Sequence, residues 1–511
     1  MGNQQDGLET KDRFFNRVLK RYVNIYRVIT AIGLIVAVCL SLAIPAHLME
    51  PDDWSYYYAI HNFADGKLVV NDEVHNAQSS ETQTQVGHFI DYVNVGANKW
   101  ALEKAPGYVF YDVPFELMGI PRWGNALLAL GVAFVMFLLL RRLRDEKTAC
   151  IGTLLMLFTP VSLVMLNRSY MDTFAAGAFL VMGGGLYIYW AMERARLNRI
   201  AGAGLLFTAF LLISWSVVTR YTNVAIAVFF ALHFAFLVMS TVIKRVKTNL
   251  KVEIPVALFG IGIPLAVLLF YDKAVFGSPF DYGYKYTSGD ITFAFQHIGE
   301  LTRSGQSVFW NIIKTNLQIA PRDLIVGFPL LIIVLIGLCF GLYQLLSARR
   351  YKNEINTTPS QGKKTGLDII LLLLGWFVGG FLLYLLYEWT ANTGMGSRPF
   401  IVYARFYFPG LFPLAVFSAL FLSKLRAKIG LGITAALIIV GAILYLQSIN
   451  VQLGNPGRIL PNGVQPNRPS NGINTLPGGG IRPPLLPPGV GNDNPPNQPP
   501  ANTTTPATPP P

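Results

Sequence analysis

The chain contains eleven apolar runs of 18 or more residues that lack Asp, Glu, Lys and Arg. An apolar helix of about 20 residues crosses the hydrocarbon core of a bilayer, so each run predicts a membrane-spanning helix. The runs are 28–48, 123–140, 148–166, 173–192, 200–219, 221–243, 254–271, 324–348, 369–387, 406–423 and 429–449. The sequence therefore predicts an all-α polytopic membrane protein with about 11 transmembrane helices.

Charge is scarce, and its placement predicts the orientation of the helices. Only 14% of the 511 residues are charged, against roughly 25% in soluble proteins, and the net charge is +13. With a cytoplasmic N-terminus, the short inner segments hold 25 of the 41 Lys and Arg residues, as the positive-inside rule requires. The sequence thus predicts a multi-pass cell (plasma) membrane protein, and its positive charge records topology rather than a nucleic-acid partner.

These spans divide the chain into three predicted domains. Residues 1–27 form a basic cytoplasmic N-terminus, and 28–449 form the transmembrane domain with two long outer loops, 49–122 and 272–323. Residues 450–511 hold 17 of the 32 prolines with many Asn and Gly, a composition that predicts a disordered extracytoplasmic tail. A plain polar tail is the favoured interpretation; a segment that crosses a cell wall or binds a partner is the alternative.

The first outer loop begins with acids followed by aromatics. Asp52 and Asp53 come directly after the first span, and Trp54, Tyr57 and Tyr58 follow at helical spacing, which predicts a short helix along the membrane interface. A carboxylate held against the bilayer has a shifted pKa and can act as a base. The alternative is an ordinary polar loop with an aromatic belt at the headgroups.

Further charged residues map to the same outer side, at matched depth. Lys104 precedes the second span, Asp172 opens the fourth, Arg220 lies between the fifth and sixth, and Arg405 enters the tenth. Lys and Arg there could bind a phosphate, or they could anchor the chain at the headgroups. Asp172 alone could be only a helix cap. The six residues together are more informative than any one of them.

Several classes of chemistry have no sequence signal. The three cysteines are widely spaced inside apolar runs, and the chain has no HExxH, CxxC, GxSxG or Walker-type motif. No Asp or Glu lies in any of the eleven runs, which disfavours an ion-coupled transporter. A transporter or flippase of a lipid-linked saccharide, or a polysaccharide polymerase or ligase, remains the alternative to a transferase of single sugars.

At these positions the chain resembles the GT-C superfamily of integral-membrane glycosyltransferases. The resemblance is to glycosyltransferase family 39, which includes protein O-mannosyltransferases and aminoarabinose transferases acting on lipid A. It covers about residues 28–425. The motifs that carry it are Pro51-Asp52-Asp53-Trp54-Ser55-Tyr56, Lys104-Ala105-Pro106-Gly107-Tyr108, Arg168-Ser169-Tyr170-Met171-Asp172, Phe276-Gly277-Ser278-Pro279-Phe280 and Arg405-Phe406-Tyr407-Phe408-Pro409.

The resemblance implies a GT-C-like architecture and a lipid-linked donor. A sugar on polyprenyl phosphate would be transferred to a lipid, protein or glycan acceptor on the extracytoplasmic face, with inversion at the anomeric carbon. Asp52 would match the general base, and Asp53 stands where relatives often have Glu. Asp172 would match a second acid that supports the site.

The same resemblance implies which groups meet the phosphate. Lys104, Arg220 or Arg405 would neutralise the departing phosphate, although Ala105 replaces a proline that is common after the lysine. No metal ligand set and no resident cofactor is expected, the lipid-linked sugar being a co-substrate. Besides this donor and its acceptor, the expected partners are membrane lipids. Neither the sugar nor the acceptor can be read from the residues.

Overall fold

A computed structural model describes residues 24–43, 48, 50–243, 249–287, 293–302, 304–351, 367–388, 390 and 403–453. Most of the predicted N-terminal segment 1–27 and most of the predicted tail 450–511 lie outside the described residues. The account below concerns the described ranges.

The described chain is mainly helical, with one small sheet in the first outer loop. The helices are α1 Ile25–Ala43, α2 Pro51–Ala64, α3 Asp72–Val86, α4 Gly107–Leu117, α5 Trp123–Leu143, α6 Glu146–Phe158, α7 Pro160–Asn167, α8 Asp172–Glu193, α9 Arg199–Thr219, α10 Val224–Ile243, α11 Leu250–Phe276, α12 Val308–Gly327, α13 Leu330–Tyr351, α14 Leu367–Leu385, α15 Leu411–Leu422 and α16 Ala427–Leu453. Strands β1 Val70–Asn71, β2 Tyr92–Gly96 and β3 Lys99–Leu102 form an antiparallel sheet in the order β1-β3-β2.

The predicted set of membrane spans is confirmed, with two corrections of shape. Among the described residues, nine helices are long and apolar enough to cross a membrane, or up to eleven if each of two bent pairs is one span. The third predicted run is such a pair, because α6 and α7 meet at 58° where Pro160 follows an extended Thr159. The eighth run, 324–348, corresponds to the end of α12 and most of α13, which meet at 99°, and α12 begins at Val308 within the predicted outer loop.

Local sequence explains where the helices begin and end. The side chains of Asp145 and Asn198 accept hydrogen bonds from backbone N–H groups three residues further on, at 2.7 and 2.8 Å, and so cap α6 and α9. Helix α11 ends at Gly277, whose φ of +83° lies in the left-handed region that glycine tolerates. These caps satisfy backbone groups that would otherwise be orphaned at the helix ends.

Two spans form the centre of the helical core. Within the most apolar window of each, 78% of the residues of Asp172–Glu193 and 83% of Ala404–Leu422 are buried, against 17–33% for several peripheral spans. Helix α8 packs against α5 and α9, and α15 packs against α6. A residue of the predicted site lies at the start of each central span. Asp172 is the first residue of one, and Arg405 is the second residue of the other.

The first outer loop is a folded layer rather than an irregular connection. Helix α2 forms as predicted, but Trp54, Tyr57 and Tyr58 are only 2–6% exposed, so the expectation of an aromatic belt at the membrane surface is corrected. These rings pack against one another and against Tyr170 instead. The loop therefore has an aromatic core of its own that fixes α2 over the ends of the membrane helices.

Ion pairs join the helices at the end of the bundle that is predicted to be cytoplasmic. Arg27 Nε lies 3.1 Å from Glu146, and Arg194 Nε lies 3.0 Å from Glu253. Arg142 also pairs with Glu193. The short basic loops of the sequence therefore supply cross-links at one end of the bundle, and the predicted site residues lie at the other ends of the same helices.

Candidate active site

The site is built around the first turn of α2. Glu50 caps this helix, and Glu50 N donates to Asp53 Oδ2 at 3.1 Å in a reciprocal capping box. Asp53 is fully buried, and Arg168 donates to both of its oxygens, from Nε at 3.1 Å and from a terminal nitrogen. Arg168 also lies 3.8 Å from Glu50. This pair ties the start of α2 to the loop after α7.

Asp52, the neighbour of Asp53, points to a different set of partners. Its Oδ1 lies 3.3 Å from Lys104 Nζ, and its Oδ2 accepts a hydrogen bond from Arg405 at 3.2 Å. The Asp52 side chain is 26% exposed, whereas that of Arg405 is 5% exposed and also pairs with Glu50. The two adjacent acids therefore have different surroundings. Asp53 is fully buried, and Asp52 contacts two cations.

Lys104 is shared by three carboxylates. Its Nζ lies 3.3 Å from Asp52, 3.5 Å from Asp91 and 3.5 Å from Glu103. The sheet brings these groups together: β2 pairs with β3 in a register that sets Tyr92 opposite Leu102 and places their neighbours side by side. Glu103 N accordingly donates to Asp91 O at 3.0 Å.

A second pair of predicted residues lies at the start of α8. Arg220 donates to Thr173 Oγ1 at 2.7 Å, and its guanidinium lies 3.6 Å from Asp172 Oδ1. Gly107, the first residue of α4, packs so closely on the end of α9 that a Cβ there would overlap the backbone of Val218 and Thr219. Glycine thus allows the segment after Lys104 to reach the turn that carries Arg220.

The ring of Phe406 joins the two groups of charges. Arg405 and Arg220 lie 5.0 and 5.6 Å from its centroid, within cation–π range of one aromatic face or edge. On the side of Lys104, the ring of Tyr284 lies 5.4 Å from Nζ. The second outer loop is pressed against this place, since a Cβ on Gly283 would overlap the backbone of Glu103. Aromatic surfaces therefore border the cations.

Protonation in the site is governed by Lys104 and the acids around it. Burial alone would raise the pKa of Asp52, but the Lys104 charge and hydrogen bonding with Asp91 outweigh it and hold that pKa below the ordinary value. Burial raises the pKa of Asp91 to about 7, with Lys104 opposing the rise and Asp52 adding to it. Burial would lower the pKa of Lys104, but the acids raise it well above its ordinary value. The ammonium is therefore charged at neutral pH.

Three solved structures are similar in fold to this chain. ArnT from Cupriavidus metallidurans bound to undecaprenyl phosphate is 14% identical, with a TM-score of 0.45, over 81% of this chain and 63% of that one. The Archaeoglobus fulgidus oligosaccharyltransferase in complex with Zn and sulfate is 17% identical, with a TM-score of 0.46, over 82% and 52%. Its AglB complex with an inhibitory peptide and a dolichol-phosphate is 15% identical, with a TM-score of 0.47, over 84% and 56%.

The three structures are those of ArnT and of an archaeal oligosaccharyltransferase. The chain spans between 52% and 63% of their lengths. No protein-family model and no curated relative matches the sequence. At such identities the likeness assigns no role to the residues of the site.

The charges of the site do not balance. Among the described residues, four cations, Lys104, Arg168, Arg220 and Arg405, face six acids, Glu50, Asp52, Asp53, Asp91, Glu103 and Asp172, which is two more negative than positive charges when all are ionised. Within the described residues, no group of three or more His, Cys, Asp or Glu side chains is arranged to hold a metal ion. The expectation that no metal is required stays a prediction.

All six predicted residues meet at this end of the bundle, and the structure adds others. Arg168 and Glu50 lie inside or beside motifs already singled out, but no role was predicted for either. Asp91 was missed, because it is a single acid between Ile90 and Tyr92 with no motif around it. Its position depends on the pairing of β2 with β3, which sequence spacing does not reveal.

Proposed function

We propose that the protein is a membrane glycosyltransferase that moves a sugar from a polyprenyl-phosphate-linked donor to an acceptor on the extracytoplasmic face of the cell membrane. The N-terminus would lie in the cytoplasm, and the site would lie at the outer ends of the helices. The acceptor hydroxyl or amine, on a lipid, a protein or a glycan, attacks the anomeric carbon in line with the departing phosphate, so the product has inverted configuration.

One observation carries this proposal: a partly exposed carboxylate lies between two cations at one end of an apolar helical bundle. Asp52 contacts Lys104 at 3.3 Å and Arg405 at 3.2 Å. Transfer from a sugar phosphate needs a base for the acceptor and fixed positive charge for the leaving group. Asp52 and its two partners place both requirements within a few ångströms of each other.

In this mechanism Asp52 accepts the acceptor's proton, and the cations receive the phosphate. The bond between the anomeric carbon and the phosphate oxygen breaks, and its electron pair leaves with that oxygen. Lys104 supplies a compact charge, whereas Arg405 and Arg220 present planar donors suited to phosphate oxygens. Because the three cations are held by neighbouring acids, and the two arginines also by the ring of Phe406, they need little reorganisation when charge develops.

The other two predicted acids act through arginines. Asp172 orients Arg220 at the start of α8, where Thr173 receives a hydrogen bond from the same guanidinium. Asp53 is bonded to Arg168 and has no exposed oxygen to offer a substrate. We therefore assign base chemistry to Asp52 and a positioning role to Asp53 and Asp172.

The test is transfer by purified protein from radiolabelled undecaprenyl-phosphate sugars to a mixture of membrane lipid, peptide and glycan acceptors. We expect labelled product with wild-type protein and a loss of at least about 100-fold with Asp52→Asn, the usual scale for a general base. Asp65→Asn is the matched control, because Asp65 caps the other end of the same helix and contacts Lys67 instead of the site.

The outcomes separate the proposed function from its alternatives. Full activity in both Asp52→Asn and Asp172→Asn would refute the assignment of these acids. Movement of intact lipid-linked saccharide across a vesicle membrane, without a change in the glycosidic bond, would identify a flippase. Transfer of a whole glycan chain with no use of monosaccharide donors would identify a polymerase or ligase.

A further inference from the structure

We propose that Asp91 completes a carboxyl pair with Asp52 and is the member that keeps the proton taken from the acceptor. This inference rests on the proposed function, because it concerns the base of that reaction. The proton leaves the acceptor hydroxyl or amine as the acceptor bonds to the anomeric carbon, reaches the pair, and is later released to water. The phosphate departs with the electron pair of the broken bond.

The two carboxyls are neighbours because they share one ammonium. Lys104 Nζ lies 3.3 Å from Asp52 Oδ1 and 3.5 Å from Asp91 Oδ2. Two carboxylates at one cation repel each other, and two such groups ionise in two steps that belong to the pair. A pair of this kind can hold one proton while the other member stays charged.

The backbone of Asp91 is fixed to both elements that carry its partners. Its N–H donates to Ser55 Oγ at 2.7 Å, and Ser55 lies on α2 beside Asp52. Its C=O accepts from Glu103 N at 3.0 Å, next to Lys104. A loop residue held at both its N–H and its C=O has a set position, so its place beside the ammonium is built into the fold.

The environment of the Asp91 oxygens favours a proton. Among the described residues, Oδ2 of Asp91 is buried and has no hydrogen-bond donor, Lys104 at 3.5 Å being an ionic contact. A buried ionised oxygen without a donor is costly, whereas a protonated one can itself donate. The excess of two negative charges in the site acts in the same direction.

The charged and titratable groups around the pair come from several parts of the chain. They are Asp52 on α2, Glu103 and Lys104 after β3, Asp172 at the start of α8, Arg220 after α9, Tyr284 in the second outer loop, and Arg405 before α15. Burial raises the pKa of Asp91 to about 7, while that of Asp52 is lowered. Asp52 therefore stays ionised to receive the proton, and Asp91, whose pKa lies near the working pH, is the member that can hold it and release it again.

The pH dependence of transfer tests the pair. Wild-type activity should be low when Asp91 is protonated and should rise as pH increases through about 7. In Asp91→Asn, only Asp52 is left as base, and its pKa is low. We expect the rate to fall at least about tenfold at high pH and to stay flat between about pH 5.5 and 8.5.

The matched control is Glu103→Gln, which removes one negative charge at the same 3.5 Å from Lys104. It should keep the rise in activity, with its midpoint moved only slightly downward. If Asp91→Asn keeps the wild-type midpoint, the pair does not carry the proton and the inference is wrong. If wild-type protein transfers no sugar at any pH, the proposed function itself fails.

A second variant, Asp91→Glu, distinguishes loss of the carboxyl group from misfolding of the protein. Asp91→Glu keeps a titratable group in place, so it should keep a rise in activity with pH even if its midpoint moves. A folded Asp91→Glu protein whose activity does not depend on pH in this range would contradict the inference. Folding of each variant is checked by size-exclusion chromatography in detergent.

Discussion

Substitution of the adjacent acids Asp52 and Asp53 by asparagine should affect different properties of the protein: Asp53→Asn mainly its stability, and Asp52→Asn mainly its transfer activity. The side chains of Asp53 and Arg168 are 1% and 2% exposed, and they are joined by two hydrogen bonds. Among the described residues, Asp53→Asn leaves the buried guanidinium with only Glu50, 3.8 Å away, as a counter-charge. Removal of one partner of such a pair costs about 3–5 kcal/mol, which is roughly a hundred- to several-thousand-fold in the unfolding equilibrium.

Asp52→Asn should cost less stability than Asp53→Asn, because the Asp52 side chain is 26% exposed and its partners Lys104 and Arg405 keep other acids nearby. A partly buried ion pair lies between the roughly 0–1 kcal/mol of a surface pair and the cost of breaking a fully buried one. The assay is unfolding of the purified proteins in mixed micelles, followed by circular dichroism, together with transfer activity at low temperature. Asp53→Asn should show the larger loss of stability, and Asp52→Asn should lose activity under conditions where it is still folded.

A double variant tests the cause. Asp53→Leu with Arg168→Met replaces the buried pair by apolar groups, so it should be less destabilised than Asp53→Asn. The reasoning is refuted if Asp53→Asn unfolds within about 0.5 kcal/mol of wild type, which is the range of ordinary surface changes. It is also refuted if the double variant is the least stable of the three.

Three other properties follow from the structure. Gly283→Ala should lower transfer severalfold with little loss of stability, since the new Cβ pushes the second outer loop off Glu103; a normal rate in this variant would contradict the contact. Hydrogen bonding to Glu300 and Glu388 outweighs burial and raises the pKa of His297. The contacts of the charged imidazole with these two acids therefore stabilise the second outer loop fully below about pH 6.5, and this stability is lost as the pH rises through the raised pKa of His297. Hydrogen exchange between about pH 6 and 8.5 should show this loss in wild type and not in His297→Gln. Transfer should survive dialysis against EDTA, and restoration of lost activity by a divalent cation would overturn the metal-free mechanism.

The sequence predicted the membrane spans well because a single physical requirement governs them. A helix in lipid must be apolar over its whole length, so its limits are visible as the absence of charge. The bend at Pro160 was less visible, since a proline in a span is tolerated and only the structure shows how far the axis turns. Helix α12 was missed as a helix because Lys314, Arg322 and Asp323 interrupt its apolar residues.

The site was predictable where its residues lie in local motifs and unpredictable where distant segments meet. Asp52 and Lys104 could be placed on the same side because both lie in the predicted outer loop 49–122. The bond between Asp53 and Arg168 joins residues 115 positions apart, and nothing in either neighbourhood indicates it. Asp91 is placed by strand pairing, and pairing registers follow from the packing of the whole loop.

The crowding of acids around Lys104 has a consequence for turnover. A cation that faced open solvent would bind phosphate in substrate and product alike, and tight binding of the product would slow the enzyme. Here three carboxylates lie within 3.3–3.5 Å of the same ammonium, so under the proposed function they compete with the phosphate product for it. Product inhibition should therefore be weak, and it should strengthen in Glu103→Gln, where one competitor is gone. An unchanged inhibition constant would show that the acids do not assist release.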